Sequence, residues 1–372
     1  MSPAGLLLQC GFMRAVAVFP GEREVRLIDI EEPVITGANH VRIRMLEVGV
    51  CGTDKELCAF VFGTPPAGSD HFILGHESLG EVVETGDAVQ DLRPGDLVVG
   101  SVRLPCGDAG CEACRTDHQD FCSSGLYLEH GINRLHGFMA DYVVEDRAYL
   151  HRVPANLRDV AVLVEPLTIA EKAWQEAVRI QERLPWRPAR RKAVVLGAGA
   201  VGLLGAMKLI QEGYETFLYS LLPTPNASSV IAEEIGATYI SSQTVPVEQM
   251  AKEVGRIDLV YEALGAAQLA FDVLKRLAPN GLFVFTGVPR AETLEPFDTY
   301  GVVSNLVLRN QAIVGIVNAS HSAFAESIRD LGAFHARWPG VLAKMITGRY
   351  RLEEFLAPVM GKAGGIKNVI CL

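Results

Sequence analysis

No run of about 18 consecutive apolar residues occurs in the 372-residue chain, so no segment of it can cross a bilayer as a helix. Positive charge is also short. Lys and Arg number 34 against 44 Asp and Glu, a formal net charge of −10 that disfavours nucleic acid or an anionic membrane as a partner. Internal repeats and low-complexity tracts are absent, which excludes a repeat architecture. The N-terminus lacks a basic start and a cleavage motif; a strand pattern begins at Met13, and residues 1–12 read as an unstructured leader or a misplaced start. Cysteine is present but not in a disulfide pattern. Of 8 cysteines, Cys106, Cys111, Cys114 and Cys122 cluster with metal-type spacing and the others are scattered, which suits a reducing, cytoplasmic compartment.

The length makes two domains the expectation, and 49% hydrophobic with 21% charged residues is an ordinary globular α/β composition. From Met13 to Glu145, β-rich runs at 15–19, 25–30, 40–50, 79–84, 96–99 and 140–144 are punctuated by turn residues such as Arg93-Pro94-Gly95-Asp96. That spacing predicts a β-rich, barrel-like domain. After Asp159 the pattern changes: a helix over 165–183 and a polar hinge at 187–192 precede strands at 193–196, 215–219, 237–240, 259–262, 282–286 and 312–316, separated by helices. Such alternation predicts a doubly wound parallel sheet of Rossmann type. Helices at 322–336 and 340–347 and a strand at 368–371 are expected to return to the first domain. The division is then a catalytic domain of 13–180 with 318–372, and a dinucleotide domain of 181–317.

The stretch from Cys51 to Glu77 opens on Cys51-Gly52-Thr53-Asp54 and closes on Gly75-His76-Glu77. Thiolate, imidazole and carboxylate are the side chains that ligate zinc, and here they come from two short turns. A catalytic zinc keeps an open position, and Glu165 in Val-Glu-Pro-Leu-Thr is a further candidate ligand. Taken singly, Cys51 also reads as a small core residue and His76 as a satisfied histidine; taken together they point to metal. The second cluster, C-x4-C-x2-C-x7-C from Cys106 to Cys122, supplies four thiolates for a closed, structural zinc site. A vestigial lobe is the alternative, with His118 as the spare donor.

Ala193-Val194-Val195-Leu196 is a continuous apolar strand feeding Gly197-Ala198-Gly199-Ala200-Val201-Gly202 and then an apolar helix, the context that makes G-x-G-x-x-G a dinucleotide fingerprint. The first glycine permits the turn, the second admits a pyrophosphate to backbone N–H groups, and the third lets the helix pack close. An Asp or Glu about 20 residues on would select NAD. Here the strand ends Tyr219-Ser220-Leu221-Leu222, with neither an acid nor an Arg. Ser220, Thr224, Asn226 and Ser228 can donate hydrogen bonds, so the reading leans to NADP with NAD still open.

These motifs, in this order, resemble the zinc-dependent medium-chain dehydrogenases, and within them the glucose (aldose) 1-dehydrogenase branch. The finer likeness lies in Gly63-Thr64-Pro65-Pro66, in Phe121-Cys122 followed by Glu129-His130-Gly131-Ile132, and in Val314-Gly315-Ile316-Val317-Asn318-Ala319. The resemblance implies a GroES-like catalytic domain beside the Rossmann domain, and hydride transfer from a sugar hydroxyl to NAD(P). It implies Thr53 as the residue that hydrogen-bonds the reacting hydroxyl, although a turn threonine looks the same. It implies Glu77 and Glu165 as alternating ligands, Glu129, Glu165 and Asn318 as substrate contacts with His130 and His321 beside them, and Gly287 and Asn318 as cofactor contacts. A homo-oligomer with a small sugar or polyol substrate is expected. The chain departs from the family in the Cys106–Cys111 gap, usually two residues, and at Ile169, where a carboxylate is expected. A polyol or threonine-type dehydrogenase is the alternative enzyme, and a catalytically silent dinucleotide-binding protein the alternative from another class.

Overall fold

The structure, a computed structural model, describes residues 11–186, 190–289, 298–361 and 363–372. All but the last two residues of the expected leader, and residues 187–189 of the expected hinge, lie outside these. The chain divides into two compact units, one of residues up to Val162 with Gly348–Ala363 and Asn368–Leu372, the other of Leu163–Thr347 with Gly364–Lys367.

The first unit is β-rich. Its main sheet runs Leu150–Val153, Leu97–Gly100, Glu77–Thr85, His40–Val50, Lys367–Cys371, Ile346–Arg351, and Tyr142–Asp146 also pairs with His40–Val50. Alternation along His40–Val50 buries Val41, Ile43 and Met45 and turns Arg42 and Arg44 outward, the pattern of a strand with one covered face. Two register shifts, at Arg42/Ile43 and Met45/Glu47, bend this strand against Glu77–Thr85, and its last residues, Val48 to Val50, are all buried. A second sheet of Glu24–Glu31, Phe12–Phe19 and Phe72–Ile73 packs into the same core through Val16, Val18 and Phe72. Its strand starts at Phe12, one residue before the sequence pattern suggested. A small third sheet joins Arg103–Leu104, Leu128–His130 and Arg134–Leu135.

The second unit is a six-stranded parallel sheet in the order Thr238–Ser241, Tyr214–Ser220, Arg191–Leu196, Leu259–Glu262, Leu282–Phe285, Ala312–Gly315. Strand Arg191–Leu196 is central and carries apolar residues on both faces, as a covered parallel sheet requires. Val194 and Leu196 share a core with helices Val247–Val254, Ala267–Leu274 and Thr299–Leu308, while helices Val164–Gln181, Ala200–Gln211 and His321–Arg337 pack on one another.

Two boundaries differ from the sequence reading. Helix Val164–Gln181 and residues 318–347 belong to the dinucleotide unit, because that helix packs along His321–Arg337 and accepts the Ser327 hydroxyl at Val164 O, 2.6 Å away. The helix expected at 340–347 stops at Met345. Ile346-Thr347-Gly348-Arg349-Tyr350-Arg351 then alternates as a strand, which suits its β-branched start.

Candidate functional site

Cys51 follows the last residue of strand His40–Val50 and caps helix Gly52–Cys58. Its Sγ accepts the Thr53 N–H at 3.2 Å, while its own N–H donates to Asp54 Oδ2 at 2.8 Å, so the short helix holds the thiol in place from both sides. His76 Nε2 lies 3.0 Å from Cys51 Sγ, and the ligand atoms of Cys51, His76 and Glu77 all fall within 4.8 Å of one another. The other ring nitrogen of His76 faces Asp54 Oδ1 at 3.4 Å, with the Asp54 side chain wholly buried. That is the arrangement by which a carboxylate fixes the tautomer of a metal-ligating imidazole. Burial alone would lower the His76 pKa, but the charges of Cys51 and Asp54 outweigh it and hold it well above 6.5. A cation at the same donors could take the place of the imidazole's proton. Nitrogen, sulfur and one carboxylate oxygen converging from three residues match the donor set of a catalytic zinc.

Glycine makes room for the carboxylate. Gly49 pairs with Glu77 across the sheet, and a Cβ on Gly49 would stand 2.0 Å from Glu77 Oε2. Gly49→Ala is expected to push the Glu77 carboxylate out of the cluster and lower metal affinity about 10–100-fold, the range for lost supporting contacts, as measured by chelator competition. An unchanged affinity would show that Glu77 contributes nothing to the bound metal.

The lengthened first gap does not remove Cys106 from the second cluster: the sulfurs of Cys106, Cys111, Cys114 and Cys122 all lie within 4.8 Å of one another, and none is in a disulfide. Gly107, at φ 72°, turns the extra residues back, and His118 is exposed outside the group. N–H groups of Cys114 and Ser123 pull the Cys111 thiol down to about 5, while burial pushes Cys114 up to about 12. Four sulfurs this close cannot all ionise without a cation between them, and a tetrahedral thiolate cage for structural zinc is the fitting chemistry. Elemental analysis is expected to give two zinc per chain, one removed by chelator with loss of activity and one retained. A single, labile zinc would mean that the four-cysteine lobe holds none.

In the second unit, Gly197 turns at φ 102° after strand Arg191–Leu196, and a Cβ there would meet Leu264 at 2.8 Å. Gly199 has open space in front of it, and helix Ala200–Gln211 begins with no side-chain cap, leaving its first N–H groups available to an anion. A Cβ on Gly202 would stand 2.1 Å from Gly197 O, so the helix packs as the fingerprint demands. Ala198 and Ala200 are buried around this turn, Val201 half-buried. The residues fit a dinucleotide pyrophosphate. Glu262, missed in the sequence, braces the neighbouring loops by accepting the N–H groups of Leu264, Gly265 and Gly287 at 2.8, 2.7 and 3.1 Å.

Ser220 is half-buried at its strand end. Of the other donors expected near a 2′-phosphate, two are committed elsewhere: Asn226 caps helix Ala227–Ile235, and the Ser228 hydroxyl donates to Ala198 O at 2.7 Å. Glu165 lies in the first turn of Val164–Gln181, with Ile169 half-buried one turn on. Asn318 has φ 60° and caps its neighbour's N–H with its own side chain at 2.8 Å, and His321 opens the next helix. Glu129 and His130 are buried, not solvated. Glu129 pairs with Arg103 at 2.9 Å and His130 with Glu145 at 2.7 Å. Asp54 and Arg103 also escaped the sequence reading; Asp54 stood inside a quoted motif, three residues from the thiol it serves.

Residues 37–155 match the alcohol dehydrogenase GroES-like domain and residues 158–372 the glucose dehydrogenase C-terminus. The glucose 1-dehydrogenase of Methanocella arvoryzae is 41% identical over 96% of this chain and 99% of its own length. That of Thermoproteus tenax is 39% identical over 96% and 99%. Among solved structures, Haloferax mediterranei glucose dehydrogenase in complex with NADP, Zn and gluconolactone superposes with a TM-score of 0.86 at 34% identity, covering 97% of this chain and 99% of that one.

Proposed function

Since the chain belongs to the glucose dehydrogenase family of zinc-dependent medium-chain dehydrogenases, we propose that it oxidises the C1 hydroxyl of an aldose, glucose foremost, to the lactone with NADP as hydride acceptor. It is a zinc-dependent, NAD(P)-linked sugar dehydrogenase. The observation that carries the proposal is the convergence of Cys51, His76 and Glu77 with Asp54 behind the imidazole. When bound, zinc supplies a Lewis acid that acidifies the substrate hydroxyl, and the nicotinamide accepts the hydride.

Cys51, His76 and Glu77 would hold the metal, and Asp54, facing the other ring nitrogen, fixes the His76 imidazole with Nε2 toward Cys51. Thr53 would hydrogen-bond the C1 hydroxyl and relay its proton, its own hydroxyl proton leaving to water as its oxygen accepts the substrate's, so that C1 loses a hydride and its oxygen a proton. Glu129 would take a further sugar hydroxyl, because a buried donor left unpaired costs about 1–3 kcal/mol. N–H groups at Gly199 to Gly202 would hold the pyrophosphate, and Gly287 and Asn318 would complete the cofactor's contacts. NADP is favoured over NAD because Ser220 leaves no carboxylate to repel a 2′-phosphate.

Two coarser readings accompany the activity. Strand Ala312–Gly315 is a sheet edge, and beside it Tyr300, Val303, Val307, Leu308, Ile313 and Val317 are exposed apolar residues, which supports a homo-oligomer through this face. Sedimentation of a monomer at micromolar concentration would end that reading. No helix among the described residues is long and apolar enough to cross a membrane, and free thiols at Cys51 and Cys106 to Cys122 support a reducing cytoplasm as the working compartment. A panel of aldoses, polyols and amino alcohols, run separately with NAD and NADP and read by cofactor absorbance, tests the substrate. Faster turnover of a polyol or of threonine than of any aldose would displace the proposal.

A further inference from the structure

We infer that Arg103 is a positioning residue that holds the Glu129 carboxylate oriented for a sugar hydroxyl, an inference that rests on the sugar reading above. Arg103 and Glu129 are directly paired between strands Arg103–Leu104 and Leu128–His130, and both are buried, at 5% and 7% exposure. Nε and Nη2 of the guanidinium each lie 2.9 Å from Glu129 Oε1. The guanidinium also lies over the Tyr127 ring at 3.7 Å and donates through Nη1 to Asp120 O at 3.4 Å, two residues before Cys122 of the metal lobe. It is therefore fixed on three sides, and the carboxylate it holds is fixed with it.

The strand carrying Glu129 runs against the metal-binding turn. A Cβ on Gly131 would lie 2.7 and 2.8 Å from the carbonyl oxygen and nitrogen of Gly75, the residue before His76. An ionised carboxylate accepts hydrogen bonds and donates none, so a charge-paired Glu129 selects ligands rich in hydroxyl donors. A buried ion pair adds little net stability compared with well-packed apolar side chains, so packing alone gives a weak reason for this pair. Orientation of a substrate-binding acceptor gives a specific one. The contact to Asp120 further means that the order of the four-cysteine lobe sets the position of Arg103.

The test is a double-mutant cycle on the zinc-loaded enzyme with Arg103→Met, Arg103→Lys, Glu129→Gln and the Arg103→Met, Glu129→Gln double variant. Arg103→Met is expected to raise the KM for glucose about tenfold to a hundredfold, within the span of coupling between contacting residues, with the KM for NADP and the zinc content unchanged. Arg103→Lys keeps the charge but not the fork and should recover part of the loss. In the Glu129→Gln background, removing Arg103 should add nothing, and that double variant, free of an unpaired buried charge, keeps the test valid if Arg103→Met folds poorly. Additive losses in the double variant, or an equal rise in the KM for NADP, would overturn the role of Arg103 while leaving the sugar reading intact. Absence of any sugar turnover by the unaltered enzyme would overturn both.

Discussion

Replacing Cys51 by serine is expected to lower kcat/KM for the sugar by about three orders of magnitude or more, because Lewis-acid stabilisation at a metal is worth several kcal/mol and each 1.36 kcal/mol is tenfold. The hydroxyl is a poor replacement for the thiolate: it stays protonated near neutral pH, and it leaves His76 and Glu77 as two donors for an ion that needs three. His76 loses its partner 3.0 Å away, though Asp54 still faces its other nitrogen. Affinity for NADPH, measured by fluorescence or calorimetry, should stay within about twofold, since the glycine turn belongs to a unit with its own core, far below the several kcal/mol lost at the metal. A large loss of cofactor affinity in Cys51→Ser would contradict the assignment of metal and dinucleotide to separate units.

The second large effect concerns cofactor choice. Ser220 ends strand Tyr214–Ser220, beside the strand that feeds the glycine turn, where a discriminating acid stands in NAD enzymes. Ser220→Asp puts a negative charge against a 2′-phosphate, a juxtaposition that costs several kcal/mol, and offers an acceptor to a free ribose diol, which contributes about 1.5–3 kcal/mol. Both act in the same direction. The NADP/NAD ratio of kcat/KM is expected to fall by about a hundredfold or more, at about 1.4 kcal/mol per decade. A ratio that does not move would place the adenosine ribose away from Ser220, and the lean to NADP would then need another basis.

How far the molecule could be read in advance depended on how local the signal was. Strand Leu259–Glu262 has the bounds its sequence suggests, and His40–Val50 likewise, because apolar runs or alternation bounded by turns need only their neighbours to declare themselves. The fingerprint from Gly197 to Gly202 and the four cysteines were legible for the same reason: their spacing is the chemistry. Arg103 and Glu129 meet only because two strands pair in one register, and nothing in either segment announces the other. Buried Lys208 is a sharper case. It lies 3.0 Å from Glu171 and 2.6 Å from Asp330, carboxylates that stand on two other helices, and burial raises the Glu171 pKa to about 8 despite the ammonium beside it. In the sequence these three are surface-type residues on amphipathic helices. The unit boundary at Val162 was hidden for a related reason, since helix Val164–Gln181 shows an apolar face but not which partner will cover it.

The closing strand of the first unit bears on how the chain is made. Residues 47 to 50 of the strand that presents Cys51 pair with Cys371 to Asn368, and Gly49 of the same stretch pairs on its other side with Glu77. The dinucleotide unit is almost one continuous stretch, Leu163–Thr347. During synthesis the strands of its sheet are therefore all made before residues 368–371 complete the metal-binding unit, the reverse of the usual N-terminal-first order. Cys51, His76 and Glu77 are translated early but framed late, since the strand that pairs beside them is made after the dinucleotide unit. The four-cysteine lobe closes within seventeen residues and has no such wait.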